Sequence, residues 1–172
     1  FNSTKLLFGH ADGTVSDRSS NVVHALPSGV DSLVCLENGA VVAEETGDLH
    51  AFAKGGKSMW TQKGDAIESH CDGFEVNGKP THWIARWSGV SGTLVVADQS
   101  NGATLAEALS LHVRFLKSAG NRVIAGCENG DVHVWEMAVL ERRMSAKKSD
   151  AHAPENPRKS ALQDKLRKLR ER

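Results

Sequence analysis

A short apolar run, a glycine-centred reversal and a second apolar run recur along this chain. That recurrence restricts the fold more than any other feature of the sequence. The fullest copy is residues 122–137, R-V-I-A-G-C-E-N-G-D-V-H-V-W-E-M. Val123-Ile124-Ala125 and Val132 to Trp135 flank Glu128-Asn129-Gly130-Asp131. Asn-Gly between alternating apolar residues signals a tight hairpin, because both residues tolerate the positive φ of a primed turn. In the second run Val132, Val134 and Glu136 share one face and His133 and Trp135 the other, which is the period of a strand with two unlike faces. The same form appears at residues 6–15, with Asp12-Gly13 as the turn, and at residues 41–52. Gly47-Asp48-Leu49-His50-Ala51-Phe52 matches Gly130-Asp131-Val132-His133-Val134-Trp135 in residue type at each position. A weaker copy is Gly92-Thr93-Leu94-Val95-Val96.

Taking Gly13, Gly47, Gly92 and Gly130 as the turn glycines gives steps of 34, 45 and 38 residues. A period of about 40 with several short strands per unit is that of β-propeller blades. A small sheet with two apolar faces cannot bury both alone, and stacking such sheets around an axis does so. The expectation is an all-β partial β-propeller of about three and a half four-stranded blades, with a C-terminal basic helix. The propeller occupies residues 1–142, a flexible linker 143–159 and a basic amphipathic helix 160–172. Residues 5–17 supply strands c and d of a first unit. Residues 22–26, 32–36, 40–43 and 49–53 are strands a to d of the next. Residues 58–62, a poorly defined strand within 67–76, then 81–87 and 93–97 form another. Residues 64–79 read as a surface excursion. In 103–109 a helical turn competes with a strand, since Ala, Leu and Glu favour helix.

The chain has 172 residues and a formal net charge of zero, unevenly placed. Residues 143–172 hold ten Lys/Arg and four Asp/Glu, leaving eleven and seventeen in the rest, so a basic tail follows an acidic body. The chain starts at Phe1 close to its first strand, which reads as a fragment or a processed chain whose ring is completed by upstream sequence or a second copy. No apolar run reaches the roughly 18 residues of a membrane span, and no signal peptide is visible. Cys35, Cys71 and Cys127 are odd in number and form no Cys-x-x-Cys, so they read as buried thiols in a reducing, cytoplasmic setting.

Two propeller families meet in these residues. Val132-His133-Val134-Trp135-Glu136 after Asn129-Gly130-Asp131 resembles the blade ending of WD40 repeats, with Trp-Glu in place of Trp-Asp. The Gly-His pair that opens a WD40 unit is absent from its usual place; Gly9-His10 lies inside a hairpin. The segment from Asp48 to Trp60 resembles the repeat of PQQ-like (quinoprotein-like) propellers, with an Ala-aromatic pair, a Gly-Lys turn and a Trp in the following strand. The segment from Val95 to Leu105 echoes that join. Neither repeat carries a catalytic residue by itself.

Candidate chemistry is sparse. His50 and His133 hold equivalent strand positions, either as part of a polar ring or as half-buried residues satisfied by neighbouring turns. His70, Cys71, Asp72 and His82 lack the spacing of a zinc site. Glu44, Glu45 and Asp48 cluster at one turn and read as surface charge. Trp60, Trp83, Trp87 and Trp135 read as packing between blades. No catalytic, metal or cofactor residue is assigned, and the chain reads as non-enzymatic.

The tail is the most suggestive feature. Ser160-Ala161-Leu162-Gln163 has the form of a capping box, and Leu162, Leu166 and Leu169 make one stripe. Arg158, Lys159, Lys165, Arg167, Lys168, Arg170 and Arg172 surround it. The expected function is a propeller protein-interaction scaffold with this helix as a second contact, for an acidic protein surface or a nucleic acid. The alternatives are a PQQ-like propeller of an envelope-assembly or quinoprotein-type system, and a nucleic-acid-associated protein binding through the tail.

Overall fold

A computed structural model describes residues 6–145 in full and the backbone of 146–150. The described residues form four antiparallel sheets and one helix. The first sheet is β1 (Leu7–Gly9), β2 (Thr14–Asp17) and β3 (Val22–Ala25). The second is β4 (Val30–Leu36), β5 (Gly39–Glu44), β6 (Leu49–Ala53) and β7 (Ser58–Gln62). The third is β8 (Ala66–Asp72), β9 (Thr81–Trp87), β10 (Gly92–Asp98) and β11 (Thr104–Leu109). The fourth is β12 (Val113–Ala119), β13 (Arg122–Cys127) and β14 (Val132–Glu136). Every sheet is a meander, with strands adjacent in sequence adjacent in space. The leading strands β4, β8 and β12 lie against one another in succession, so they line the axis and β7 and β11 lie outermost. This is a partial β-propeller.

The repeat is present, but its phase is one strand later than the sequence reading places it. Residues 22–26 were expected to open a blade beside residues 32–36. Instead β3 closes the first sheet, pairing Val15 with His24, and Ser58–Gln62 closes the second, pairing Ala51 with Trp60. Pro27-Ser28-Gly29 is therefore a link between sheets, and Lys54-Gly55-Gly56-Lys57 a hairpin turn within one. Apolar alternation identifies a strand but does not identify its partner, and both kinds of connection use the same turn residues.

The turn chemistry also differs. At Asn129-Gly130, Gly130 N donates to Cys127 O at 3.0 Å and Cys127 N to Asp131 O at 2.9 Å. Gly130 has φ +87°, whereas Asn129 is not in the left-handed region. This is a three-residue loop with one left-handed glycine, not a two-residue primed turn. The same pair of bonds recurs at His10–Gly13–Thr14 and at Glu44–Gly47–Asp48. In the third sheet the equivalent reversal is Ser88-Gly89-Val90-Ser91, where Gly89 has φ +86°. Gly92, expected as that turn glycine, is instead the first residue of β10. The turns at Gly13, Gly47, Gly89 and Gly130 are thus spaced by 34, 42 and 41 residues, more regular than the sequence reading had them.

Two apolar clusters bind the sheets together. Val15 and Leu26 of the first sheet and its link meet Ala40, Val42 and Phe52 of the second. Val41, Ala43, Leu49, Ala51 and Trp60 of the second sheet meet Ile84, Val95 and Ala97 of the third. β5 is buried along its whole length because successive side chains face opposite clusters. Residues 64–79 are not a surface excursion. They contain β8, and beyond it Phe74 and Val76 are buried, with Phe74 edge-on to Trp83 at 5.6 Å. Gly73 permits this path, since a Cβ there would stand 2.4 Å from the Trp83 ring. Residues 104–109 are strand, not helix, because they pair with β10.

Helix α1 (Met137–Asp150) follows β14, and its residues from Ala138 belong to a unit separate from the sheets. Residues 143–150, expected to open a flexible linker, continue this helix, whose Ala, Leu, Met, Arg and Lys favour it. Residues 151–159 and the amphipathic segment 160–172 lie outside the described residues, and with them Arg158, Lys159, Lys165, Arg167, Lys168, Arg170 and Arg172.

Candidate functional site

The turns β1–β2, β5–β6, β9–β10 and β13–β14 share one rim with the links between sheets, and hydrogen bonds hold the two together. Glu45 N donates to Gly29 O and Glu128 N to His112 O, both at 3.0 Å and at corresponding positions. Leu26 N donates to Gly13 O and Leu111 N to Gly92 O. Side chains brace the tips. Asp12 Oδ1 accepts from the Thr14 hydroxyl and amide, which holds its carboxyl below the usual range. Asn129 Oδ1 accepts from Asp131 N at 3.1 Å. Trp87 stacks on His112 at 3.7 Å and 8°, tying the end of β9 to the link that leads into β12. The exposed tips are Ala11-Asp12, Glu45-Thr46, Ser88-Gly89-Val90 and the loop 128–131, with Val90 89 % exposed.

Beneath this rim lies a charged network. Glu44 is buried, accepting from the Thr46 hydroxyl at 3.0 Å with His50 Nε2 at 3.4 Å. His50 Nδ1 meets the Thr61 hydroxyl at 3.1 Å. Lys63 approaches Asp48 at 4.0 Å. Arg86 of β9 is buried and donates to Gly47 O at 2.7 Å and Asp65 O at 2.6 Å, and to Gln62 Oε1 at 3.2 Å. Burial lowers its pKa, opposed by the charges of Asp65 and Asp48. Glu44, Asp48 and His50 bring their ligand atoms within 4.8 Å of one another and are the group among the described residues with the donors for a cation. Lys63 and Arg86 already supply positive charge beside Asp48, so the set is accounted for as an ion-pair network.

The other sequence candidates separate. His50 and His133 do sit at equivalent points of β6 and β14, but these are third strands, away from the axis. They have different neighbours, and His133 stacks on Trp135 at 5.5 Å. His70 and His82 meet across β8 and β9, Nδ1 to Nε2 at 2.9 Å, both buried. Burial pushes His70 down to about 4, with Arg86 adding to it, and burial drives His82 well below its ordinary value. Cys71 follows His70 on the strand and therefore faces the other way, so the pair gains no thiol ligand. The tryptophans do pack between sheets: Trp60 Nε1 donates to Gln99 O at 2.9 Å, and Trp83 lies 5.5 Å from Trp135. Sequence reasoning missed Arg86; its signal was the one permanent cation in the strand Thr81–Trp87, beside Ile84, Ala85 and Trp87.

The three cysteines are free thiols, but not all buried: Cys35 is exposed, Cys127 intermediate and Cys71 buried, its thiol pushed up to about 12 by burial. A thiol reagent at pH 8 is expected to label Cys35 first, Cys127 more slowly and Cys71 only on unfolding. Labelling of Cys71 at the rate of Cys35 would contradict the burial of β8.

A cleft of about 230 Å³ lies between the first two sheets, lined by Leu7, Val23, Phe52 and Lys54 among others. It falls below the roughly 300–1,000 Å³ of small-molecule sites. No helix among the described residues is long and apolar enough to cross a membrane.

No protein-family model matches the chain, and no curated protein matches it. Solved structures do. The computationally designed Ika8 protein matches with TM-score 0.61 and 23 % identity over 80 % of this chain and 44 % of its own. BBS1N in complex with ARL6DN matches with TM-score 0.62 and 15 % identity over 76 % of this chain and 45 % of its own. The WD40 β-propeller domain of Doa1 matches with TM-score 0.58 and 16 % identity over 80 % of this chain and 48 % of its own. BamB from Moraxella catarrhalis matches with TM-score 0.55 and 13 % identity over 78 % of this chain and 42 % of its own. The chain thus spans rather less than half the length of Ika8, BBS1N and the Doa1 domain. The meander sheets, their succession about the axis and these likenesses together make the fold that of a partial β-propeller, similar to the WD40 domain of Doa1 and to BamB.

Proposed function

We propose that this chain is a non-enzymatic β-propeller interaction scaffold that recruits a protein through the turn-bearing rim, with the basic residues of 158–172 as a second contact. The observation that supports this most is the bracing of the rim. Repeated hydrogen bonds from turn to link fix tips that expose polar groups around Val90, so little loop ordering opposes binding. Binding sites are commonly carried on loops positioned by a rigid scaffold. Among similar folds, BBS1N is in complex with ARL6DN, a precedent for a protein partner. The tail, carrying seven cations, adds avidity through its tether to the sheets.

The test is site-specific photo-crosslinking in the cells that make the protein. A crosslinker at position 90 is expected to trap a discrete protein that one at position 59, on β7, does not. Deleting residues 158–172 is expected to lower the yield of that adduct. Identical adducts from positions 90 and 59 would contradict the rim assignment. An unchanged yield after the deletion would remove the tail from the proposal, and retention of a labelled RNA by the tail alone would assign it to nucleic acid instead.

A further inference from the structure

The two terminal sheets each leave one apolar face open, and the positions on those faces are those that form the contacts between sheets inside the chain. Val41, Ala43, Leu49 and Ala51 of the second sheet pack onto the third. They stand in a fixed relation to Gly47. Counted the same way from Gly130, the corresponding residues of the fourth sheet are Ile124, Gly126, Val132 and Val134. The cross-strand pairs agree: Val41↔Ala51 and Ala43↔Leu49 in one sheet, Ile124↔Val134 and Gly126↔Val132 in the other. Yet Val132 is 68 % exposed and Val134 53 %, and a Cβ at Gly126 would meet only Phe115, itself exposed.

The opposite holds at the other end. Ala40 and Val42 of the second sheet pack back onto the first. Counted from Gly13 instead of Gly47, their counterparts are Leu6 and Phe8, 55 % and 44 % exposed, with Val22 exposed nearby. The fourth sheet therefore offers the forward half of the repeated contact, and the first sheet its backward half.

We infer that these faces form one interface and that its occupant is a second copy of this chain, the fourth sheet of each copy seated on the first sheet of the other. A second copy carries both halves at once, and the contact continues one that the chain already makes between its own sheets. A head-to-tail contact either closes or grows into a filament. Closure by a two-fold axis makes both contacts identical and leaves neither apolar face in water.

The 172-residue chain, measured by sedimentation equilibrium at tens of micromolar, is expected to show twice its 18.5 kDa mass. Val134→Lys and Phe8→Glu are each expected to weaken association about 100-fold, because either buries a lone charge. An equimolar mixture of the two variants is expected to regain the double mass, since one contact then pairs Lys with Glu and the other is unaltered. Far-ultraviolet circular dichroism checks that each variant folds; should one not, the mass of the unaltered chain still decides. A mass of 18.5 kDa for the unaltered chain overturns the inference. So does a Phe8→Glu chain that keeps the double mass, which would place the contact elsewhere, or growth beyond two copies, which would mean an open filament.

Discussion

Replacing Arg86 with alanine is expected to cost about 3–5 kcal/mol of unfolding free energy, the range for removing one member of a buried charged network. Arg86 extends from β9 of the third sheet to the β5–β6 turn and to the link that follows β7. It donates to Gly47 O and Asp65 O, and to Gln62 Oε1. Hydrogen bonds from a charged donor contribute about 1.5–3 kcal/mol each, and an acceptor left buried without a partner adds its desolvation cost. Truncation leaves two carbonyls short of donors and removes the cation that faces Asp48 and Asp65. Arg86→Lys keeps the charge but not the planar fork, so it is expected to recover only part of the loss. Urea unfolding with an unchanged m-value measures both variants. A loss under 1 kcal/mol for Arg86→Ala would mean that apolar contact, not this side chain, holds the second and third sheets together.

The second large effect is acid sensitivity above the carboxylate range. His70 and His82 are buried against each other, and burial holds both pKa values down, His70 to about 4. In the unfolded chain both titrate near 6.5. Between those values the unfolded state binds more protons than the folded one, so stability rises with pH there. The contribution is complete above about pH 6.5 and is lost as pH falls from there towards 4. For His70 alone the loss amounts to roughly 3 kcal/mol over that interval, and His82 acts in the same direction. Urea midpoints at pH 7.5 and 4.5 are expected to differ accordingly, and His70→Gln is expected to flatten the curve. A stability independent of pH across that interval would show that the imidazoles are solvated.

The repeat was legible because each blade carries its own punctuation: Gly13, Gly47 and Gly130 all need a left-handed backbone, and the flanking runs alternate. The phase was not legible. Pro27-Ser28-Gly29 and Lys54-Gly55-Gly56-Lys57 are similar turn-forming sequences, yet one joins two sheets and the other closes a hairpin. Only long-range pairing separates them. Gly92 precedes a clear strand and so reads as the turn, while Gly89 stands among serines beside Val90. Phe74 and Val76 were hidden by Gly73, Asn77, Gly78 and Pro80, whose composition signals a surface loop. The tryptophans were legible as packing between sheets, since residues of that size on short strands have few other places to go. The rim network was not, because Arg86 is far in sequence from Glu44, Asp48 and Asp65, and no local pattern aims it at them.

Cross-strand backbone nuclear Overhauser contacts test the four-sheet repeat and its phase most directly. The account expects contacts between Val15 and His24, Val41 and Ala51, Ile84 and Val95, and Ile124 and Val134, with Ala51 also meeting Trp60. Contacts joining residues 22–25 to residues 32–36 in one sheet, or different pairings around Gly47 and Gly130, would contradict it.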